Sequence, residues 1–175
     1  MILSVEELKK YINTTETDEV LEAKLKAIEL MVREYTNNNF QKRTFRKAAD
    51  IVGGLFVSDQ LVPFKVGDTV QISESKYNEG LYVITEIEDS TFKVSGDVID
   101  ENDVVVTVVD YPMDVKMGII NMLKWDIDNR AKVGIQSETI SRHSVTYFDM
   151  SGDNAVLGYP KSLLGFLKPY RKARF

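Results

Sequence analysis

The spacing of apolar residues changes twice along this chain, and that change constrains the fold more than any other feature. Apolar residues recur at helical spacing up to about Thr44, alternate with polar residues as far as Val109, and return to helical spacing from Pro112. A segment whose apolar residues have helical spacing does not form a stable strand, and a segment of alternating apolar and polar residues does not form a stable helix. The pattern therefore predicts an α+β protein, in which a small helical bundle is interrupted by an inserted β structure.

The N-terminal part, residues 1–44, is predicted to supply two helices of the bundle. Ser4 is the predicted N-cap of the first helix, and Glu7 completes a capping box. Thr17 or Asp18 is predicted to cap the second helix. Apolar residues with helical spacing then follow: Leu21, Leu25, Ile28, Val32 and Tyr35.

The insertion, residues 45–110, is predicted to be a small β-barrel. Its short β-branched or alternating segments are separated by turn sequences such as Gly53-Gly54, Val66-Gly67-Asp68 and Asn78-Glu79-Gly80. Five or six short strands at this spacing favour a closed barrel, because closure leaves no exposed sheet edge. The predicted architecture is an SH3-like barrel.

The C-terminal part, residues 111–175, is predicted to complete the bundle. Pro112 suits the first position of a helix that runs to about Ala131. Residues 137–147 lack helical spacing and are predicted to form a short hairpin. Pro160 is predicted to begin a last short helix, which Pro169 ends.

The composition excludes several kinds of chemistry. The chain has no Cys and one His, which excludes disulfides, thiolate sites and sites with several histidines. No cofactor or metal site is predicted. The N-terminus lacks the apolar region of a signal peptide, and no apolar run is long enough to span a membrane, so we expect synthesis in the cytoplasm and no membrane partner.

Two acidic patterns and one serine–histidine pair do not fit a catalytic or metal site. Asp126 and Asp128 are two residues apart on a predicted helix, so their side chains diverge and are interpreted as a solvated face. The acidic segment 97–103 lacks the Gly and Glu positions of a calcium loop. Ser141 and His143 lack the sharp turn that presents a catalytic serine. The prediction is a protein without enzymatic activity.

Charge is divided unevenly along the chain. Residues 51–112 contain twelve acidic and three basic side chains, whereas residues 113–175 contain six acidic and ten basic side chains. DNA affinity comes mainly from cations that neutralise phosphates, so the acidic segment disfavours DNA binding by the insertion. The last eight residues, Lys168 to Phe175, contain four cations and no acid.

Several stretches resemble the head–tail connector proteins of tailed bacteriophages, also called adaptor or head-completion proteins. The resemblance spans nearly the whole chain. The matching stretches are Glu6–Tyr11, Tyr35–Phe40, Val66–Val70, Asn78–Ile84, Gly134–Ile140 with Ser144–Tyr147, Tyr159–Lys161 with Leu163-Leu164, and Tyr170–Phe175.

The resemblance implies a structural virion protein at the head–tail junction. Such a protein would be made in the host cytoplasm and would form a ring of about twelve subunits beneath the portal protein. It would be monomeric or weakly associated when isolated. The ring would extend the channel used in DNA packaging and ejection, and would dock a stopper or tail-completion protein. Genomic DNA would pass through without specific binding.

Two surfaces are predicted interfaces for these partners. The basic C-terminal segment is predicted to leave the bundle and to contact the portal through Lys168, Tyr170, Arg171, Lys172, Arg174 and Phe175. The hairpin is a second predicted interface, with residues Ser141, Arg142, His143 and Tyr147.

Two other functions stay open at this point. The first is a small nucleic-acid-binding adaptor whose barrel stacks bases on Tyr77, Tyr82 and Phe92, which requires a basic groove on the barrel. The second is an enzyme that uses Ser141, His143 and an Asp, which requires these groups within hydrogen-bond reach of one another.

Overall fold

The computed structural model describes residues 1–130, 133, 137–140, 143–146 and 154–173. The chain forms two compact units. The first unit consists of Met1–Ile2 and Asn38–Tyr111, and the second of Leu3–Asn37 and Pro112–Phe175. The first contains a closed β-barrel and the second contains the helices. This confirms a mixed α+β fold with a small barrel.

Six antiparallel strands form the barrel. They are β1 (Gln41–Val52), β2 (Leu55–Val57), β3 (Thr69–Ser73), β4 (Gly80–Glu88), β5 (Thr91–Val94) and β6 (Glu101–Val109). Their order around the barrel is β1-β2-β5-β4-β3-β6, and β6 pairs with β1 to close it. Closure pairs every strand on both sides, which removes the exposed edges of an open sheet.

Alternation along the strands fills the barrel with apolar side chains. Phe92 lies at the centre of this core, where it stacks on Phe56 at 4.8 Å and meets the edge of Phe64 at 5.2 Å between ring centroids. The prediction that Phe92 stacks nucleic-acid bases is therefore wrong, because its ring is buried. Tyr77 is exposed and Tyr82 is half-buried.

The first turn of the barrel depends on glycine. Gly53 and Gly54 connect β1 to β2 with φ values of 59° and 77°, and Val52 pairs with Leu55 across them. Two consecutive positive φ values define a type I′ turn, in which Gly avoids the clash of a Cβ.

The barrel begins earlier than the sequence predicts. β1 starts at Gln41, whereas the predicted boundary is residue 45. The first seven residues of β1 include Lys42, Arg43, Arg46 and Lys47, so this part lacks the apolar alternation that marks the other strands. Its strand conformation comes from pairing with β6 rather than from its own pattern.

In its described residues, the second unit contains three α-helices, a 3₁₀ helix and two short hairpins. Its helices are α1 (Val5–Lys9), α2 (Asp18–Thr36), α3 (Met113–Asn129) and the 3₁₀ helix (Lys161–Tyr170). β7 (Ser137–Ile140) pairs with β8 (His143–Thr146), which confirms the predicted hairpin, and β9 (Ala155–Val156) pairs with β10 (Tyr159–Pro160).

Sequence signals set the ends of the first two helices. The Ser4 hydroxyl accepts a hydrogen bond from the backbone N–H of Glu7 at 3.0 Å, which confirms Ser4 as the N-cap of α1. Thr17 occupies the N-cap position of α2, and Asn37 ends α2 in the left-handed conformation. The predicted stripe Leu21, Leu25, Ile28 and Val32 is buried.

Both later helices differ from prediction at a proline. Pro112 is the N-cap of α3 rather than its first residue, and Pro169 lies inside the 3₁₀ helix rather than at its end. The fixed φ of proline fits a 3₁₀ turn, so Pro169 does not stop the helix. Gly118 in α3 lies under the Phe166 ring, where a Cβ would overlap the ring.

No helix in the described ranges has both the length and the apolar character that crossing a membrane requires.

The two ends of the barrel unit meet. The backbone N–H of Asp110 donates to the carbonyl of Phe40 at 2.9 Å, and the rings of Phe40 and Tyr111 are 4.9 Å apart. We therefore expect that replacing residues 41–109 by a linker of a few Gly and Ser residues leaves a helical protein that unfolds cooperatively, because a short linker can span ends that are in contact.

Circular dichroism during thermal unfolding checks this expectation. The matched control is the same linker in place of residues 18–36, which removes α2 and should abolish folding of the second unit. Loss of all helical signal in the 41–109 variant would contradict the division into two units.

Candidate interaction site at the C-terminal segment

The basic C-terminal segment is tied to the second unit. The Tyr170 hydroxyl donates to the Asp114 carboxylate at 2.8 Å, and the backbone N–H of Lys172 donates to the carbonyl of Thr36 at 2.8 Å. The Asn37 side chain donates to the carbonyl of Ala173 at 2.8 Å. The prediction that this segment leaves the helices is therefore wrong for residues 170–173.

The predicted interface residues differ in exposure, and some of them lie outside the described residues. Lys168, Arg171 and Lys172 are exposed and Tyr170 is half-buried. The hydrogen bond to Asp114, with burial and the charge of that carboxylate, raises the pKa of Tyr170 above its usual range. Outside the described residues lie Arg174, Phe175, Ser141, Arg142 and Tyr147; His143 belongs to β8, and its side chain is also outside the description.

A surface groove lies between the end of α2 and this segment. It has a volume of about 600 Å³ and is lined by Met31 and Tyr35 of α2, by Leu157, and by Arg171 and Lys172 of the segment. The Arg171 guanidinium lies over the Tyr35 ring at 5.2 Å, a cation–π contact that fixes its position. The groove thus combines an apolar floor with a cationic rim, to which α2 adds one carboxylate, Glu34.

Leu157 occupies an unusual backbone conformation at the mouth of this groove. Leu157 and Gly158 form the two-residue turn between β9 and β10, with φ values of 55° and 76°. Asn or Gly adopts the first position of such a turn without strain, whereas a residue like Leu costs about 1–2 kcal/mol there. The Leu157 side chain is nevertheless 50% exposed. The turn holds an apolar side chain at the surface against its local preference.

An ionic cluster around the buried Asp126 holds this turn in place. The Arg130 side chain donates to the carbonyl of Gly158 at 3.0 Å and to an Asp126 carboxylate oxygen at 2.5 Å. Asp126 also forms an ion pair with Lys24 at 3.3 Å, and Lys24 pairs with Glu16 at 2.5 Å. The Arg130 guanidinium lies over the rings of Trp125 and Tyr159 at 5.5 and 4.9 Å.

The prediction that Asp126 and Asp128 form a solvated face is therefore wrong for Asp126. Asp126 is buried and bonded to two cations, while Asp128 is exposed as predicted. Burial by itself would lower the pKa of Lys24, but the hydrogen bonds and charges of Glu16 and Asp126 outweigh burial and raise it. The stability that Lys24 contributes is therefore present at neutral pH and is lost as pH rises through its raised pKa.

Burial raises the pKa of Tyr159, and the nearby Asp126 charge adds to that rise. The Tyr159 hydroxyl is thus a neutral donor at neutral pH, 3.5 Å from Asp126. The cluster links α2, α3 and the β9–β10 hairpin, so it positions Leu157 relative to the groove. Sequence reasoning missed this arrangement, because the only local signal is the Asp126–Arg130 spacing of four residues on one helix.

The barrel unit has an acidic tip, which we define as residues 74–79 and 97–103. It contains six carboxylates and one lysine: Glu74, Glu79, Asp97, Asp100, Glu101, Asp103 and Lys76. Tyr77 and Ile99 are 55% and 57% exposed on it. The surface of the tip therefore carries both acidic and apolar side chains.

Glu101 organises the acidic tip. Its carboxylate accepts hydrogen bonds from the Ser75 hydroxyl at 2.6 Å, the Lys76 backbone N–H at 2.6 Å and the Asn78 side chain at 3.0 Å. Asn78 also exchanges two hydrogen bonds with the backbone of Ile99, at 2.8 and 2.9 Å. The backbone bond from Lys76 and the other donors lower the pKa of Glu101 below its usual range. Tyr77 and Ile99 are consequently carried on fixed backbone.

Strand β1 of the barrel carries four cations, and we call it the cationic strand. Three of its four cations are engaged within the barrel: Lys42 with Asp110 at 3.6 Å, Arg46 with Glu74 at 3.3 Å, and Lys47 with Gln60 at 2.6 Å. Arg43 is exposed. Within the part of the chain that the structure describes, no cluster of three or more His, Asp or Glu side chains is arranged to hold a metal ion.

Comparison with known proteins found no family model that matches this chain and no curated protein with a matching sequence.

Substitution of Asp126 tests the ionic cluster. We expect Asp126→Asn to lower the free energy of unfolding by about 2 kcal/mol, because it leaves Lys24 and Arg130 without their shared anion; partial exposure of both cations limits the loss. Urea unfolding followed by circular dichroism measures the change. Asp128→Asn, two residues along the same helix, is the matched control and should change stability little, so equal effects of the two substitutions would count against the cluster.

Substitution of Glu101 tests the acidic tip. A carboxylate whose pKa is lowered by folding stabilises the folded state above its ordinary pKa, and this contribution is lost as pH falls through the lowered pKa. We expect Glu101→Gln to lower the thermal stability of the barrel at pH 7, and the gap from wild type to shrink as pH falls below 4.5. Glu79→Gln is the control in the same loop, and a gap independent of pH would contradict this role of Glu101.

Proposed function

We propose that this protein is a structural, non-enzymatic connector of the head–tail junction in a tailed bacteriophage. In this proposal the helices of the second unit form a small bundle and the inserted barrel is SH3-like. Subunits assemble on the portal protein into a ring of about twelve, extend the DNA channel, and dock a stopper or tail-completion protein. The protein is made in the host cytoplasm and ends in the virion.

The observation that carries the proposal is a second apolar stripe on α2. Val20, Ala23, Ala27 and Leu30 recur at helical spacing, and all four are exposed, with Leu30 at 62%. At 100° per residue their stripe lies on the side of α2 opposite the buried stripe of Leu21 to Val32. A helix that is apolar on two opposite faces suits burial on both sides, and contact with a neighbouring subunit would cover the outer face.

The charge distribution supports a DNA channel without specific binding. The barrel unit contains thirteen acidic and seven basic residues, for a net charge of −6, and four of the seven cations belong to β1. Like charge and few phosphate contacts keep DNA affinity low. DNA would therefore pass such a surface without being held.

Portal docking is proposed for the basic C-terminal segment, Lys168 to Phe175. Its exposed cations suit an acidic partner surface, and its backbone from Tyr170 to Ala173 is fixed by the contacts to α2 and α3. A fixed segment loses little conformational freedom on binding, which favours affinity. The hairpin at residues 137–147 is the alternative docking element.

Binding to portal-bearing, tailless heads tests this function. We expect wild-type protein to cosediment with such heads, and Lys168→Glu to weaken binding about tenfold, because a repulsive charge replaces an attractive one. Lys161→Glu, at the other end of the same 3₁₀ helix and also exposed, is the matched control. If wild-type protein does not bind the heads, the proposed function is wrong; if both variants bind like wild type, docking lies on the hairpin.

The cationic strand β1 favours a second candidate, a small nucleic-acid-binding adaptor. Lys42, Arg43, Arg46 and Lys47 all lie on the barrel wall. We rank this candidate second, because three of these cations already have partners in the barrel. Salt-sensitive binding of the free protein to duplex DNA, weakened by Arg43→Glu, would favour it over the connector.

A further inference from the structure

The groove beside α2 has the features of a protein-docking site. Its floor is formed by Met31, Tyr35 and Leu157, and its rim by Arg171 and Lys172. Among the described residues, neither Arg171 nor Lys172 forms an ion pair with an acid. The groove therefore has two cations against one carboxylate, Glu34, beside an apolar floor. This excess of positive charge favours an acidic surface that also carries apolar side chains.

The groove is preformed rather than loosely assembled. Arg171 is stacked on Tyr35, and the Lys172 backbone is hydrogen-bonded to Thr36. On the opposite side, Arg130 holds the turn that exposes Leu157. The strained conformation of Leu157 gives no stability to the turn, so an exposed leucine there is best explained by a contact that the isolated chain does not make.

The chain itself carries a surface with the complementary properties. The acidic tip of the barrel unit combines five more acids than bases with exposed Tyr77 and Ile99. Glu79 and Asp97 are exposed on this tip. Glu101 and Asn78 fix the loops that carry Tyr77 and Ile99, so binding would order few residues.

We infer that the groove of one copy binds the acidic tip of a second copy. Arg171 and Lys172 face the carboxylates of the tip, and Leu157 packs against Tyr77 and Ile99. The contact joins two different surfaces, so it is head-to-tail, and repetition of such a contact closes a ring when the rotation between subunits allows it. This inference rests on the proposed ring and deepens it, because it names two surfaces that join neighbouring subunits in addition to the outer stripe of α2. Of the C-terminal cations proposed for the portal, it assigns Arg171 and Lys172 to the neighbouring subunit and leaves Lys168, outside the groove, for the portal.

Charge reversal on purified protein, with no portal present, tests the contact. Sedimentation velocity from about 10 µM to 1 mM should show weak association of the wild type, in the range of transient contacts. The groove variant Arg171→Glu with Lys172→Glu, and the tip variant Glu79→Lys with Asp97→Lys, should each lose association at least tenfold. The two variants mixed, or all four substitutions in one chain, should regain it, because opposite charges then face each other again.

Matched variants separate the contact from nonspecific charge effects. Lys10→Glu with Lys161→Glu in the helical unit, and Asp59→Lys in the barrel unit, reverse exposed charges outside the groove and the tip and should associate like wild type. Circular dichroism and thermal unfolding of every variant establish that it is folded before association is compared.

Leu157 supplies a test that is independent of charge. Leu157→Asn keeps the turn, since Asn tolerates positive φ, and should leave the melting temperature unchanged or raised while association falls about tenfold. Leu61→Asn, at a leucine 73% exposed in the barrel unit, is the matched control and should associate like wild type.

The outcomes separate this inference from the proposed function. Loss in each single-surface variant and recovery in the combined variant support the groove–tip contact. No association of wild type at 1 mM, or no recovery on combining the substitutions, overturns it, even if wild-type protein still binds portal-bearing heads. Failure to bind such heads while groove–tip association persists overturns the connector role and leaves the self-contact standing.

Discussion

A single backbone hydrogen bond, from the N–H of Asp110 to the carbonyl of Phe40, sets the constraint on which the architecture depends. It joins the point where the chain leaves the helices to the point where it returns. β1 starts one residue after Phe40 and β6 ends one residue before Asp110. The start of β1 therefore lies beside the end of β6, and the two strands pair in antiparallel. That pairing closes the barrel. The same junction lets α2 and α3 belong to one compact unit although 76 residues separate them in sequence.

Local signals in the sequence predict much of this fold. The alternation of Val70 and Ile72, the β-branched run from Val104 to Val109, and the stripe of α2 each express a burial pattern within one element. Ser4 caps α1 through an atom three residues away. Structure that depends on neighbours close in sequence is encoded in patterns of a few residues.

What the sequence does not reveal depends on partners distant in the chain. Asp126 is buried because Lys24, 102 residues earlier, reaches its carboxylate, and no local pattern around either residue shows this. The C-terminal segment is held by the Thr36 carbonyl, the Asn37 side chain and the Asp114 carboxylate, which lie at least 56 residues earlier in the chain. Leu157 lies in a turn for which its residue type gives no signal. The groove is formed by α2, the C-terminal segment and the turn at Leu157, which are distant in sequence, so no local pattern predicts it.

The close packing of the Phe166 ring on Gly118 has a mechanical consequence. The Phe166 ring fills the space where a side chain at position 118 would lie, so the 3₁₀ helix and α3 interlock at one register. A smooth apolar contact between two helices can slide along its axis by a turn at modest cost. An aromatic ring seated in a gap of one residue resists that slide. Force applied along the chain at Arg171 would therefore be transmitted into α3 as a push, not absorbed by slippage.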